Sequence, residues 1–420
     1  MLSNNARVRL GCYSSSITMS VICNLPPLLF LTLRSLYGIS YSLLGLLVLI
    51  NFCTQLTVDL IFSFFSHKFN IHRTLKIMPL LTILGVALFS LFPVFFPQIA
   101  FLGLAVGTVI FSVSSGLSEV LLSPVIAALP SDNPDGDMSG FHSVYAWGVV
   151  FTVIMSTLFL LVFGNENWFI LPLLFLLFPS FAFFFFSFSR LPKMQTPEKA
   201  SSAVGFLKNR AVWLFVLAIF LGGAAECTMA QWSSGYLEAA LGIPKVWGDI
   251  FGVALFALML GLGRSLYGKY GRKILPVLFI SAVSATVCYL VAALSPIAVI
   301  GLIACALTGL ATAMMWPGCL IAATDRFPSG GVLIFALLAA GGDLGASVAP
   351  QLVGIITDAV ILNNSLSSLA VSLGLTPDQL GMKAGMLVGM LFPLAASFIF
   401  FFMWQRDKKR HPVKADEPTQ

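Results

Sequence analysis

"GLSEVLLSP" at residues 116–124 and "GLATAMMWP" at 309–317 decide how this chain is read. Each opens on Gly-Leu, reaches a proline eight positions later, and lies inside a long apolar stretch. The register continues: Gly148 in "YAWG" and Gly341 in "LAAG" both stand 32 residues beyond the glycine of their Gly-Leu pair. Further upstream, "LYGISYSLLG" (36–45) resembles "ALGIPKVWGDIFG" (240–252). Three matches in the same order make internal duplication the economical explanation, the arrangement expected of transporters assembled from repeated helical bundles. Only the first copy carries a charge, Glu119; the equivalent position of the second is Thr312.

Composition explains what solvent these segments meet. Of 420 residues, 58% are hydrophobic and 10% charged, and the mean hydropathy is +0.96. A soluble protein is about one quarter charged, so the chain reads as all-α and embedded in a bilayer. Apolar runs of about 20 residues cross a hydrocarbon core about 30 Å thick. Twelve such spans are expected, at 11–33, 38–64, 74–95, 98–129, 138–163, 168–189, 211–240, 247–267, 274–294, 297–323, 330–357 and 381–404. They leave no block able to bury a separate soluble core, and the first span reads as a retained helix, not a cleaved signal peptide. If both termini face the cytoplasm, all 23 Lys and Arg fall on the cytoplasmic side except Arg34, Lys245 and Lys383. That is the bias expected of a membrane protein, and it gives the net charge of +6 a topological origin without nucleic acid. The expected organisation is an N-terminal six-helix bundle (1–189), a cytoplasmic linker (190–210), a C-terminal six-helix bundle (211–404) and a charged tail (405–420).

Several chemistries are excluded. The seven cysteines lie in apolar stretches with no CxxC pair and no His/Cys spacing for zinc. Gly261, Gly263, Gly268 and Gly271 follow no strand and lack the Lys-Ser/Thr pair of a phosphate loop, so no nucleotide is expected there. No nucleophile, base and acid set is visible, and neither an enzyme nor a bound cofactor is expected.

"GRSLYGKYGRK" (263–273), after the second span of the second half, resembles the loop signature of the major facilitator superfamily. "SFFSHKFNIHR" (63–73) is a degenerate copy in the first half. Within that superfamily, "GLSEVLLSP" is similar to fucose-permease-like sugar:proton symporters and related bacterial members, which carry Gly-Leu, an embedded Glu and a Pro five residues later. The resemblance implies a symporter of a bacterial inner membrane that moves a small-molecule substrate together with the proton as coupling ion, and a monomer is expected. The chain departs from that pattern in the first span, where Asn24, Pro26 and Pro27 stand in place of an acid.

Charge inside the spans locates the candidate site. At 1.5 Å per residue, Glu119 lies about 16 Å from the cytoplasmic end of its helix, Glu226 about 22 Å, Asp343 about 20 Å and Asp59 about 10 Å. An ionised carboxyl at a helix centre costs about 2.5–3.5 kcal/mol on insertion scales, so such groups face a cavity, find a partner or take a proton. The span pattern offers no basic partner at that depth. Proton coupling is therefore expected at Glu119, with Glu226, Asp343 and Asp59 as further candidates. Aromatic faces stack on sugar rings while amides and acids bind hydroxyls, so Asn24, Tyr145, Trp147, Glu226, Gln231, Trp232, Trp316 and Asp343 are the expected substrate ligands. Proton-linked uptake of a sugar or similar polar solute follows, with export of an amphipathic compound or a non-transporting receptor as alternatives.

Overall fold

A computed structural model describes residues 3–65, 69–132, 134–192, 209–270, 273–327 and 331–410. Most of the expected linker and the last ten residues of the tail lie outside these, as do 66–68 and 271–272 of the two loop motifs. The described chain is almost wholly helical. Eleven helices are long and apolar enough to cross a bilayer, and a bent pair supplies a twelfth crossing.

The first six crossings are α1 (Asn4–Leu28, bent by 50° into Phe30–Tyr37), α2 (Tyr41–Phe65), α3 (Ile71–Phe95), α4 (Ala100–Ala127), α5 (Pro134–Phe163) and α6 (Ile170–Phe175 continued by Leu177–Ser187). The second six are α7 (Arg210–Leu241), α8 (Lys245–Trp247, a π-helical Gly248–Ala254, then Leu255–Tyr270), α9 (Ile274–Leu294), α10 (Ala298–Thr312 and Pro317–Arg326), α11 (Gly331–Leu362) and α12 (Pro377–Arg410). A short helix, Asn364–Ser372, joins the last two. The first helix begins and the last helix ends at one end of the bundle, here the terminal face; the opposite end is the far face.

Local sequence explains the breaks. Pro26 and Pro27 lack the N–H that would continue the ladder, and α1 bends just after them. The repeated glycines Gly38 and Gly242 end α1 and α7 with φ of +64° and +65°, a left-handed cap that only glycine adopts without steric cost. Side chains of Asn70 and Asn209 accept from Arg73 N–H (3.1 Å) and Ala211 N–H (3.0 Å), capping α3 and α7.

The other repeated glycines mark equivalent helix crossings. A methyl group at Gly116 would lie 3.1 Å from the Gln55 carbonyl oxygen on α2, and one at Gly309 would strike the Phe256 carbonyl on α8. One at Gly148 would meet Ser20 Oγ of α1 at 2.6 Å, and one at Gly341 would meet Val216 of α7 at 2.9 Å. The duplication therefore preserves the close approaches of fourth to second and fifth to first helix in each half. In lipid, where helices gain little from burying apolar surface against each other, such small-residue contacts carry the packing. The copies differ at one point. "GLSEVLLSP" is continuous helix in α4, whereas in α10 the helix stops at Thr312 and restarts at Pro317.

Filling one of these crossings should be costly. Gly309→Ala is expected to destabilise the detergent-solubilised protein by about 1–3 kcal/mol through overpacking. Gly261→Ala is the matched control, because no atom lies within 4 Å of the added methyl group. Thermal unfolding followed by tryptophan fluorescence compares the two.

Candidate functional site

Three acids from both halves lie within electrostatic reach of one another. Asp59 on α2 interacts electrostatically with Glu119 on α4 and Asp343 on α11, and Glu119 with Asp343. Glu119 also acts on Cys23 of α1 and Tyr145 of α5. A side chain coupled to four other helices does not face lipid. Yet Glu119 keeps solvent-accessible surface, and the space that these acids border between the halves is here termed the vestibule. Asp343 is buried and its carboxylate has no hydrogen-bond or ion-pair partner among the described residues; one oxygen of Asp59 is buried and equally unpartnered. Removing charge from water without a partner is among the largest penalties in a protein interior, which sets these acids apart from those with a cationic partner.

Glu226 belongs to a different arrangement. Arg264 Nη2 of α8 donates to both its carboxylate oxygens, at 3.0 and 3.2 Å, and Arg264 Nε donates to the Ala313 carbonyl at 3.2 Å. Ala313 opens the gap in α10, so one guanidinium neutralises an embedded acid and satisfies a carbonyl that the broken helix leaves free. The sequence offered no basic partner for Glu226 because Arg264 reads as a loop charge of the Gly-Arg motif. The structure corrects this: Arg264 lies a turn and a half inside α8, and its long side chain reaches inward.

Around the first half of the vestibule runs a polar network that the sequence reading missed. Asn51 Oδ1 accepts from Gln55 Nε2 (3.0 Å) and Ser112 Oγ (2.6 Å), while Ser115 Oγ donates to Gln55 Oε1 (3.0 Å) and lies 3.6 Å from Cys23 Sγ. The available signal was two amides four residues apart in an apolar span, which places them on one helix face. Gln231 of α7 completes the ring from the other half. It is buried, its amide has no hydrogen-bond partner among the described residues, and it lines a small cavity with Asn51, Cys23, Pro26 and Pro27.

The remaining expected ligands separate by position. Asn24 Nδ2 donates to the Ser20 carbonyl of its own helix at 2.8 Å, and the Asn24 side chain also engages the Tyr145 hydroxyl. Trp316 is half-buried, its ring resting where glycines leave room: methyl groups at Gly342 and Gly223 would lie 2.6 and 2.9 Å from it. Trp232 is fully buried, donates to the Pro350 carbonyl at 2.8 Å, and packs against Phe30 and Tyr41. Its role there is to join α7, α11 and the first half near the far face. Trp147 is 69% exposed. Two residues apart on a helix is about 200°, so with Tyr145 facing the vestibule Trp147 points to the outside of the bundle.

The described hydrogen bonds that cross between the halves all sit toward the far face. Asp358 of α11 accepts from the backbone N–H groups of Tyr41 (3.1 Å) and Ser42 (2.6 Å) at the start of α2. Arg34 pairs with Asp378 at 3.0 Å while its guanidinium lies 4.0 Å over the Tyr41 ring. Thr157 donates to Asp249 at 2.9 Å, and Lys245 Nζ to the Leu28 carbonyl at 2.6 Å.

This architecture recurs among transporters. A bacterial homologue of the human lysosomal transporter Spinster, inward-facing and occupied, superposes with a TM-score of 0.71 at 14% identity, covering 99% of this chain and 100% of that one. A D-xylose–proton symporter gives 0.71 at 15% identity, with 94% and 97% covered. The E. coli fucose:proton symporter gives 0.59 at 13% identity, with 95% and 99% covered. At such identities the likeness is one of fold. No curated protein matches the sequence. The family model described as Major Facilitator Superfamily matches residues 11–350. Twelve crossings, an internally repeated sequence and that match together place the chain in the major facilitator superfamily of membrane transporters.

Proposed function

We propose that this protein moves a small polar solute, of sugar type, across the cytoplasmic membrane in exchange for proton energy, acting as a monomer by alternating access. The observation that carries this is the unpaired carboxylate cluster of Asp59, Glu119 and Asp343, contributed by both halves and bordering an interior vestibule. Acids held together without a cationic partner cannot all stay ionised, since like charge and desolvation both favour the protonated form. Proton occupancy therefore depends on how far apart the halves hold the cluster and on how much water reaches it. A rocking motion that changes both links proton binding to solute access.

The bias of Lys and Arg supports a cytoplasmic location for the termini, and with them for the terminal face. Since the cross-half bonds gather at the far face, the vestibule in this state would open toward the cytoplasm. Two six-helix bundles (1–189 and 211–404) joined by the 190–210 linker are the moving bodies. Glu119 is the principal proton carrier because its carboxylate reaches the vestibule, with Asp343 and Asp59 sharing the proton. Asn24, Tyr145 and Gln231 supply hydrogen bonds to solute hydroxyls, and Trp316 an apolar ring face. Glu226, held by Arg264, serves as a fixed charge pair beside the path.

A second reading draws on the same cluster. Three carboxylates without a Lys or Arg partner among the described residues also favour a positively charged amphipathic solute leaving as protons enter. Its direction of coupling is opposite, and one experiment separates the two.

In proteoliposomes with an imposed inward proton gradient, sugar-type solutes are expected to accumulate. Glu119→Gln should abolish gradient-driven accumulation while leaving solute exchange at equal pH on both sides. Uptake indifferent to the gradient and unaltered in Glu119→Gln would sink proton coupling; gradient-driven extrusion of hydrophobic cations would establish the second reading. Tyr145→Phe removes one neutral hydrogen bond, worth about 0.5–1.5 kcal/mol, and should raise the apparent KM roughly 2- to 10-fold without changing the gradient dependence.

A further inference from the structure

The far face is closed along two seams, α2 against α11 and α5 against the π-helical start of α8. The internal repeat makes them one seam seen twice. The register that carries Gly38 onto Gly242 carries Gly45 onto Asp249, and the register that carries Gly148 onto Gly341 carries Thr157 onto Pro350. The structure pairs both sets. A methyl group at Gly45 would lie 3.1 Å from the Pro350 carbonyl oxygen and from Gln351 Cα, and Thr157 donates to Asp249 at 2.9 Å. At equivalent places, then, one seam has bare backbone contact and the other a carboxylate.

That carboxylate is fully buried. Besides Thr157 from the first half, it accepts from the Ser234 hydroxyl of α7 and lies 3.3 Å from Lys245 Nζ. Lys245 in turn donates to the Leu28 carbonyl at the bend of α1. Three donors converge on two acceptor oxygens, a geometry that a carboxylate satisfies and that an amide or a protonated acid would spoil by turning a donor toward a donor. The other charged group at this point is Glu238 of α7, which interacts with both Lys245 and Asp249 and has a buried oxygen without a hydrogen-bond partner. Among the described residues, no titratable group reaches Asp249 from α5, where its partner is the Thr157 hydroxyl, or from α1, where the contact runs through the Leu28 carbonyl.

We infer that Asp249 is the latch of the far face: it holds α5 directly through Thr157 and α1 through Lys245, and so sets the fraction of molecules closed on that side. The Gly45 seam determines how closely the halves meet; the Asp249 seam determines how firmly. This is a positioning role, separate from the proton carriers of the vestibule, and it stands whichever solute is transported.

Hydrogen–deuterium exchange of the full-length protein in nanodiscs tests it. Thr157→Val keeps the side-chain shape and removes one charge-assisted hydrogen bond across the seam, so the open-to-closed ratio of the far face is expected to rise roughly tenfold. Exchange should increase together at the far ends of α2, α5 and α8, because opening separates both seams. Asp249→Asn should do the same more strongly. Ser234→Ala removes a bond to the same carboxylate within one half and should leave the far end of α2 unchanged. The inference is overturned if Thr157→Val leaves far-face exchange at the parent level. It is overturned too if the increase is confined to residues 245–254, which would mark local loosening of α8. Should Asp249→Asn fail to fold, the contrast between Thr157→Val and Ser234→Ala decides the matter alone.

Discussion

Inside a bilayer, a helix that breaks exposes carbonyls that no water can satisfy, and this constraint organises the polar chemistry of the molecule. Two of its breaks matter most, the bend of α1 beyond Pro26 and Pro27 and the gap in α10 before Pro317. Both are repaired by cations of α8. Lys245, near one end, donates to the Leu28 carbonyl; Arg264, near the other, donates to the Ala313 carbonyl. Each cation is in turn held by a carboxylate, Asp249 or Glu226. One helix thus supplies the cations of two acid–base pairs that stabilise discontinuities in helices of both halves, without drawing on Asp59, Glu119 or Asp343.

Seen this way, the embedded carboxylates form two chemically distinct groups. Glu226 and Asp249 have cationic partners and several donors, so their charge is compensated and they serve structure and conformation. Asp59, Glu119 and Asp343 have none among the described residues, which leaves protonation or solute binding as the means of relieving their repulsion. In a low-dielectric interior the presence of a partner, more than depth in the membrane, sets the cost of an embedded charge.

Helix number, the internal repeat and the positions of Gly38, Gly116, Gly148 and their partners were legible in the sequence. Each reflects a local rule: apolar length, a left-handed cap, or a crossing too tight for a side chain. The candidate site was legible only in part. Glu119, Asp59 and Asp343 stand out because charge in an apolar run is expensive wherever it occurs. The Asn51–Gln55 network escaped notice because amides in a membrane helix often bond to their own backbone, and their convergence with Ser112 and Ser115 depends on how α2 and α4 pack. Trp147 and Tyr145 look alike in sequence, but helical rotation sends one outward and the other inward.

The sequence by itself determined that the chain crosses a bilayer twelve times in two related halves, because hydropathy and glycine spacing act within one helix or between neighbours fixed by the repeat. Only the tertiary structure decided which acids are paired. Arg264 and Glu226 are 38 positions apart, and Thr157 and Asp249 are 92 apart. Their meeting depends on side-chain reach and on which helix faces converge, quantities that no spacing rule along the chain contains. Glu119, the charge that the second repeat lacks, is accordingly marked by its sequence as unneeded for the scaffold, and it stands between the halves without a hydrogen-bond or ion-pair partner among the described residues.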